Sequence, residues 1–222
     1  MNLLETFLNL LFPPKCPFCG RVLDRPGICP ACQKDLPWTK EEQALRVLPG
    51  GIPCAAPLRY EGPVREGILR FKFQGRTSAA EPLGELIAQC AAEHFSGGFD
   101  TVTWVPVSRK RLRQRGYDQA ELLARSACRL WGVKPERLLE KTVHNPAQSG
   151  LENAEARRDN VRAVYRAMNA AGKRILLIDD ICTTGATLSE CARTLREAGA
   201  ESVVCAAAAL TCREKVNNSV KE

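Results

Sequence analysis

The sequence predicts an α/β protein, a largely parallel sheet flanked by helices, with a small cysteine-held module in front of it. Three observations carry this. From Cys54 onward, apolar strand-like runs alternate with helical runs, the pattern of βαβ units that cover a sheet on its faces. Ahead of them stand two Cys-x-x-Cys pairs in a segment too short to bury a core. Near the C-terminal end, "RILLIDDICTTGATL" sets two adjacent carboxylates at the tip of an apolar strand, just before a helical pattern.

At 222 residues the chain has room for one main domain and a small attachment. Its 45% apolar and 26% charged content is that of an ordinary globular protein. No apolar run reaches the roughly 18 residues of a membrane span. Residues 1–12, with Glu5 and no basic start, read poorly as a signal peptide. They predict a short amphipathic helix stopped by Pro13 and Pro14 that packs on the body or meets a partner. The net charge of +7 suits phosphate-bearing ligands or nucleic acid without selecting either. Eleven cysteines, an odd number without a secretory signal, argue for a reducing cytoplasm and against a disulfide framework.

Residues 13–38 form the first unit. Cys16 and Cys19, then Cys29 and Cys32, are separated by nine residues, which lets four thiolates converge on one tetrahedral ion. Zn²⁺ favours such a closed sulfur site, at about 2.3 Å. Binding it would supply the folding free energy, roughly 10–16 kcal/mol in small modules of this kind. A redox dithiol is the alternative, but it expects a single Cys-x-x-Cys on a βαβ helix.

Residues 39–53 read as a linker, with "LPGGIP" as its turn, and 54–212 as the main domain. Helices are predicted over 82–95, 118–132 and 187–199, and strands over 99–107, 174–180 and 201–210. Asp118 can cap its helix, with Glu121 three residues on and Gly132 at its end. In "FKF" (71–73), strand alternation would put Phe71 and Phe73 on one face, as core; base stacking on the rings is the functional alternative. His94 reads as structural, while His144 has only its location to suggest a role. Residues 213–222 form a polar, frayed tail.

An isolated Asp-Asp often does no more than cap and solubilise a strand end. Here Asp179 and Asp180 precede Thr183, Thr184, Gly185, Ala186 and Thr187 and then a helix. Open parallel sheets bind ligands beyond the carboxyl ends of their strands. Backbone N–H groups at a helix start attract phosphate, and glycine allows close approach. Carboxylates facing a phosphate would repel it; they fit sugar hydroxyls, an associated Mg²⁺ or developing positive charge. Neither Gly-x-x-x-x-Gly-Lys-Ser/Thr nor Gly-x-Gly-x-x-Gly occurs. From Arg109 to Arg115, five of seven residues are basic: Arg109, Lys110, Arg111, Arg113 and Arg115. Such a run is a solvated face, a diphosphate clamp or a nucleic-acid contact.

"LLIDDICTTGAT" resembles the 5-phosphoribosyl 1-pyrophosphate (PRPP) motif of type I phosphoribosyltransferases. With the cysteine module, "YEGPVREGILRFKFQGR", "VPVSRKRLRQRGYDQAELLA" and "QSGLENAEARRDNV", the chain resembles the ComF family of competence-associated proteins from Cys16 to about Leu210. The resemblance implies that Asp179 and Asp180 bind the ribose hydroxyls and that Thr183–Thr187 hold the 5′-phosphate. Pyrophosphate would fall to Pro106, Val107, Ser108, Arg109 and Lys110. A mobile loop would span 141–158, with Arg157 as a cation over the pyrophosphate. Two functions follow. One is phosphoribosyl transfer from PRPP with Mg²⁺ to an unnamed acceptor. The other is a non-catalytic role handling single-stranded DNA with competence proteins at the inner face of the membrane, with Arg111, Arg113 and Arg115 as contacts. Cys182 stands where the family's loop is often aliphatic, and reads as core filling.

Overall fold

The computed structural model describes residues 13–142 and 164–211. The chain opens with the cysteine module, whose one helix, α1, covers Pro30–Asp35. A short helix α2 (Glu41–Ala44) then leads into strands β1 (Leu45–Leu48), β2 (Ile52–Ala55) and β3 (Leu58–Arg59). Helices α3 (Gly62–Phe73) and α4 (Ala80–Phe95) precede β4 (Thr101–Trp104), α5 (Arg109–Arg115) and α6 (Gln119–Leu130). A separate antiparallel pair, β5 (Leu139–Lys141) and β6 (Tyr165–Ala167), follows. The last βαβ unit is β7 (Arg174–Cys182), α7 (Ala186–Glu197) and β8 (Ser202–Leu210).

The main sheet runs β1-β2-β8-β7-β4, with β3 continuing β2's path along β8. Only β1 is antiparallel. Both faces are covered, which explains why β7 and β8 read as continuous apolar runs. Ile178, Leu176, Ala206 and Ala208 pack under α4 and α6 on one face. Ile175, Leu177, Cys205 and Ala207 pack against Leu188, Cys191 and Leu195 of α7 on the other.

Two expectations are corrected. Residues 39–53 are not a linker: β1 and β2 form a hairpin on the edge of the sheet, joined through Pro49, Gly50 and Gly51. Both glycines take positive φ, at 83° and 70°, so the turn was visible while the strands beside it were not. Leu48 and Ile52, each 2% exposed, anchor the hairpin in the core. The second correction concerns "FKF". It ends helix α3, and its rings lie on different faces: Phe71 is fully buried, whereas Phe73 is 65% exposed. Val64, Gly67, Ile68 and Phe71 are the buried positions. Their spacing is i, i+3, i+4, i+7, the helical stripe that two-residue alternation obscured.

Residues 1–12, 143–163 and 212–222, including the expected N-terminal helix, His144, Arg157, most of the expected loop and the tail, lie outside the described residues. Among the described residues no helix is long and apolar enough to cross a membrane.

Candidate functional site

The site forms where β7 leaves the sheet. Asp179 and Asp180 are consecutive on β7, so strand alternation turns their side chains to opposite faces. Asp180 lies on the face of α3 and is 6% exposed. Lys72 Nζ, from the end of α3, lies 2.9 Å from each of its carboxylate oxygens. Asp179 lies on the other face, and its Oδ1 accepts the Asp180 N–H at 2.8 Å. Desolvation, and next the Asp180 charge, push its pKa well above the ordinary carboxylate value, while Lys72 opposes them. Around it the thiols of Cys191 and Cys205 are pushed up, first by burial and then by neighbouring charges including Asp179. They are therefore neutral and unreactive. Cys182 is itself buried among these residues.

Beyond the acids, Thr183, Thr184 and Gly185 turn the chain into α7. Gly185 caps that helix with φ 81°. An added Cβ would lie 2.6 Å from Leu48 Cδ2, so glycine answers both a left-handed backbone and a crowded neighbour. Thr184 Oγ1 accepts from the Ala186 N–H at 3.3 Å. Thr187 stands in the first turn of α7. From the hairpin, Arg46 Nη1 donates to the Thr183 carbonyl at 2.9 Å, and Nη2 donates to the Thr211 carbonyl. Thr211 Oγ1 also donates to Thr183 O, at 3.1 Å. The Thr183 carbonyl is thus tied back towards the sheet, and the turn's backbone stands at the start of a helix, where anions are favoured.

A second loop follows β4. The Val107 N–H donates to Asp118 Oδ2 at 2.9 Å, and the Glu121 N–H donates to Asp118 Oδ1 at 3.3 Å. Asp118 thus caps α6, as its position predicts, and also holds the β4 loop. Burial raises its pKa, and the two backbone donors oppose that rise. Ser108 caps α5, which contains Arg109, Lys110, Arg111, Arg113 and Arg115. Arg109 pairs with Glu140 of β5 at 2.9 Å, and Arg166 holds the other oxygen of the same carboxylate. Lys141 Nζ donates to Tyr165 Oη at 3.1 Å. Burial and then the Arg111 charge lower its pKa.

A cavity of about 590 Å³ opens beside Lys72, lined also by Phe73, Gly75, Arg111, Gln114, Arg115 and Tyr117. Arg115 stacks over the Phe73 ring, 4.7 Å from its centroid. The pairing of Lys72 with Asp180, Arg46, Lys141 and Asp118's bond to the β4 loop are the site features that the motifs did not disclose. The helical stripe in α3 was the usable signal for Lys72. Arg46 had none, because its partner Thr183 lies 137 residues away in sequence.

The four cysteines of the module converge: Sγ atoms of Cys16, Cys19, Cys29 and Cys32 all lie within 4.8 Å of one another. Tetrahedral Zn–S bonds of about 2.3 Å require sulfur separations of about 3.8 Å, and Cys19 and Cys29 stand 3.6 Å apart. The set therefore fits zinc. The Cys32 N–H donates to Cys29 Sγ at 3.4 Å and lowers that thiol towards the thiolate a metal needs, while burial and the neighbouring thiols raise Cys32. The module is docked on α3: Arg70 Nη2 donates to the Phe18 carbonyl, and a Cβ at Gly67 would meet the Pro17 carbonyl at 2.7 Å.

Two family models agree with this architecture. Residues 133–221 match the phosphoribosyl transferase domain, and residues 7–44 match the double zinc ribbon domain. The chain is 27% identical over 184 residues to competence protein ComFC of Bacillus subtilis, covering 83% of this chain and 72% of that one. It is 29% identical over 200 residues to competence protein F of Haemophilus influenzae, covering 85% and 86%. Among solved structures it resembles the glutamine PRPP amidotransferase of B. subtilis complexed with ADP and GMP, at TM-score 0.43 and 27% identity over 58% of this chain and 26% of that one. The chain is homologous to the ComF-type competence proteins over most of its length, and it joins a double zinc ribbon match, with four cysteines that fit zinc, to a phosphoribosyl transferase domain match.

Proposed function

We propose that the end of β7 is a PRPP site and that the chain is a phosphoribosyltransferase whose acceptor is still to be found. The observation that carries this reading is the continuity of Asp179, Asp180 and the Thr183–Thr187 turn at the end of a parallel strand, within the stretch matching the phosphoribosyl transferase domain. Asp179 and Asp180 accept hydrogen bonds from the ribose hydroxyls. The amides of Thr183 to Thr187 receive the 5′-phosphate. Val107, Ser108, Arg109 and Lys110 face the pyrophosphate, with Arg157 as a further cation. Mg²⁺ accompanies the diphosphate, and the carboxylate pair offers the oxygen donors it prefers. In transfer, the bond from the anomeric carbon to pyrophosphate breaks as the acceptor bonds that carbon. Positive charge developing on the sugar is stabilised by the two carboxylates.

Calorimetric titration of PRPP with Mg²⁺ into zinc-loaded protein tests this. Saturable binding is expected for the wild type and is lost in Asp179→Asn/Asp180→Asn. A wild type that does not bind overturns the reading.

A second reading is favoured by α5. Arg111 and Arg115 line a cavity with Phe73 and Tyr117, and Arg113 lies on the same helix. Cations interleaved with rings suit single-stranded nucleic acid. On this reading the protein handles transforming DNA in the cytoplasm, with competence proteins at the inner face of the membrane, and the PRPP site serves regulation or structure. Binding of an oligothymidylate that weakens steeply with salt and with Arg111→Ala/Arg113→Ala/Arg115→Ala supports it. No binding at low salt removes it.

A further inference from the structure

The contact that the proposed function leaves unused is Lys72 on Asp180. We propose that Lys72 is a tethered counter-ion of the sugar site. It holds Asp180 in the ligand-free protein, is displaced by the sugar, and then pairs with the diphosphate of the same ligand. This rests on the PRPP reading of the site.

The geometry is specific. The Lys72 ammonium is equidistant from both Asp180 oxygens, at 2.9 Å. The carboxylate that should accept from sugar hydroxyls is therefore already engaged. Its side chain is 9% exposed, so the pair is poorly screened. A sugar can use Asp180 only by sharing or expelling the ammonium. Once expelled, Lys72 has a defined destination, because it borders the cavity that Arg111 and Arg115 also line. Among the described residues, no carboxylate lines that cavity. Three cations around one concavity repel one another until an anion enters, and a diphosphate supplies the charge they need. Arg111 is also close enough to Lys141 to lower its pKa. The anion-seeking side of the site thus extends from the cavity towards Asp179.

The consequence is a coupling between the two halves of the ligand. A sugar lacking the diphosphate displaces Lys72 without giving it a new partner. The full ligand does both. Ribose 5-phosphate is therefore penalised relative to PRPP, and Lys72 acts as a specificity-determining and positioning residue. Ribose 5-phosphate and pyrophosphate should likewise bind with positive coupling, although both are anions.

The test uses the full zinc-loaded chain at fixed Mg²⁺ and compares wild type with Lys72→Met by calorimetry, with thermal melting to confirm folding. The expected result is opposite in sign for two ligands. Lys72→Met binds PRPP about tenfold more weakly and ribose 5-phosphate severalfold more tightly. Lys72→Arg, which keeps the charge, retains the preference for PRPP. If Lys72→Met moves both affinities in the same direction, or neither, Lys72 is a structural ion pair and the inference fails while the PRPP reading stands. If the wild type binds neither ligand, the reading fails and takes the inference with it. The wild type alone provides a second check. Pyrophosphate should bind more tightly with saturating ribose 5-phosphate present, and unchanged or weaker binding overturns the coupling.

Discussion

Arg46 Nη1 donates to the carbonyl oxygen of Thr183 at 2.9 Å, joining an edge hairpin to the turn between β7 and α7. The same guanidinium reaches Thr211 O. Hydrogen bonds from a charged donor are worth about 1.5–3 kcal/mol. Arg46→Met should therefore leave the fold intact and loosen the turn, weakening PRPP binding by about tenfold. Calorimetry beside circular dichroism measures this. Unchanged affinity would mean that Thr211 Oγ1 and the Gly185 backbone hold the turn unaided.

Gly185 and Leu48 make a steric pair. Gly185→Ala introduces a Cβ 2.6 Å from Leu48 Cδ2 on a backbone with φ 81°. The left-handed conformation alone costs about 1–2 kcal/mol for a residue with a Cβ, and the clash adds to it. Urea unfolding should show a loss of about 2–3 kcal/mol. In a Leu48→Ala background the same change should cost less, because only the backbone strain remains. Equal losses in both backgrounds would remove Leu48 from the account.

Zinc removal should be felt at the sugar site. The module rests on α3 through Arg70 and Gly67, and the last turn of α3 carries Lys72, which holds Asp180. Cys29→Ser, or a strong chelator, should lower the melting temperature and also weaken PRPP binding. A protein that loses metal and keeps full affinity would show that α3 is positioned by its own buried stripe of Val64, Ile68 and Phe71.

Asp179 gives a pH signature. Its raised pKa means that the folded state resists ionising this carboxyl, chiefly through desolvation and then through Asp180. Folding is consequently penalised once pH exceeds the ordinary value of 3.8, and the penalty grows until pH passes the raised value. Falling pH relieves it. Asp179→Asn should melt higher than wild type at neutral pH, and the gap should close as pH falls towards 4. Its PRPP binding should be lost throughout. A gap that does not change with pH would mean that Asp179 is ionised without cost in the folded protein.

Much of this protein was legible because its signals are local. The four module cysteines announce themselves by spacing, and in the structure their sulfurs converge. The run from Arg174 to Gly199 reads directly as strand, acid pair, turn and helix. Asp118 was recognisable as a cap because a cap bonds three residues along its own chain. Period was the weak point. "RFKF" satisfies strand alternation over four residues, and only the longer stripe from Val64 to Phe71 discloses a helix.

The sequence by itself determined the α/β class, the metal module and the candidate acids and turn, since each is written in neighbouring residues. The tertiary structure alone decided what surrounds them. It brought Lys72 across 108 residues to Asp180 and Arg46 across 137 residues to Thr183. It also turned an apparent linker into the hairpin that crowds Gly185. Contacts of that kind depend on which elements the sheet order makes neighbours. That order is set by burying every apolar face at once, a condition no short stretch of chain records.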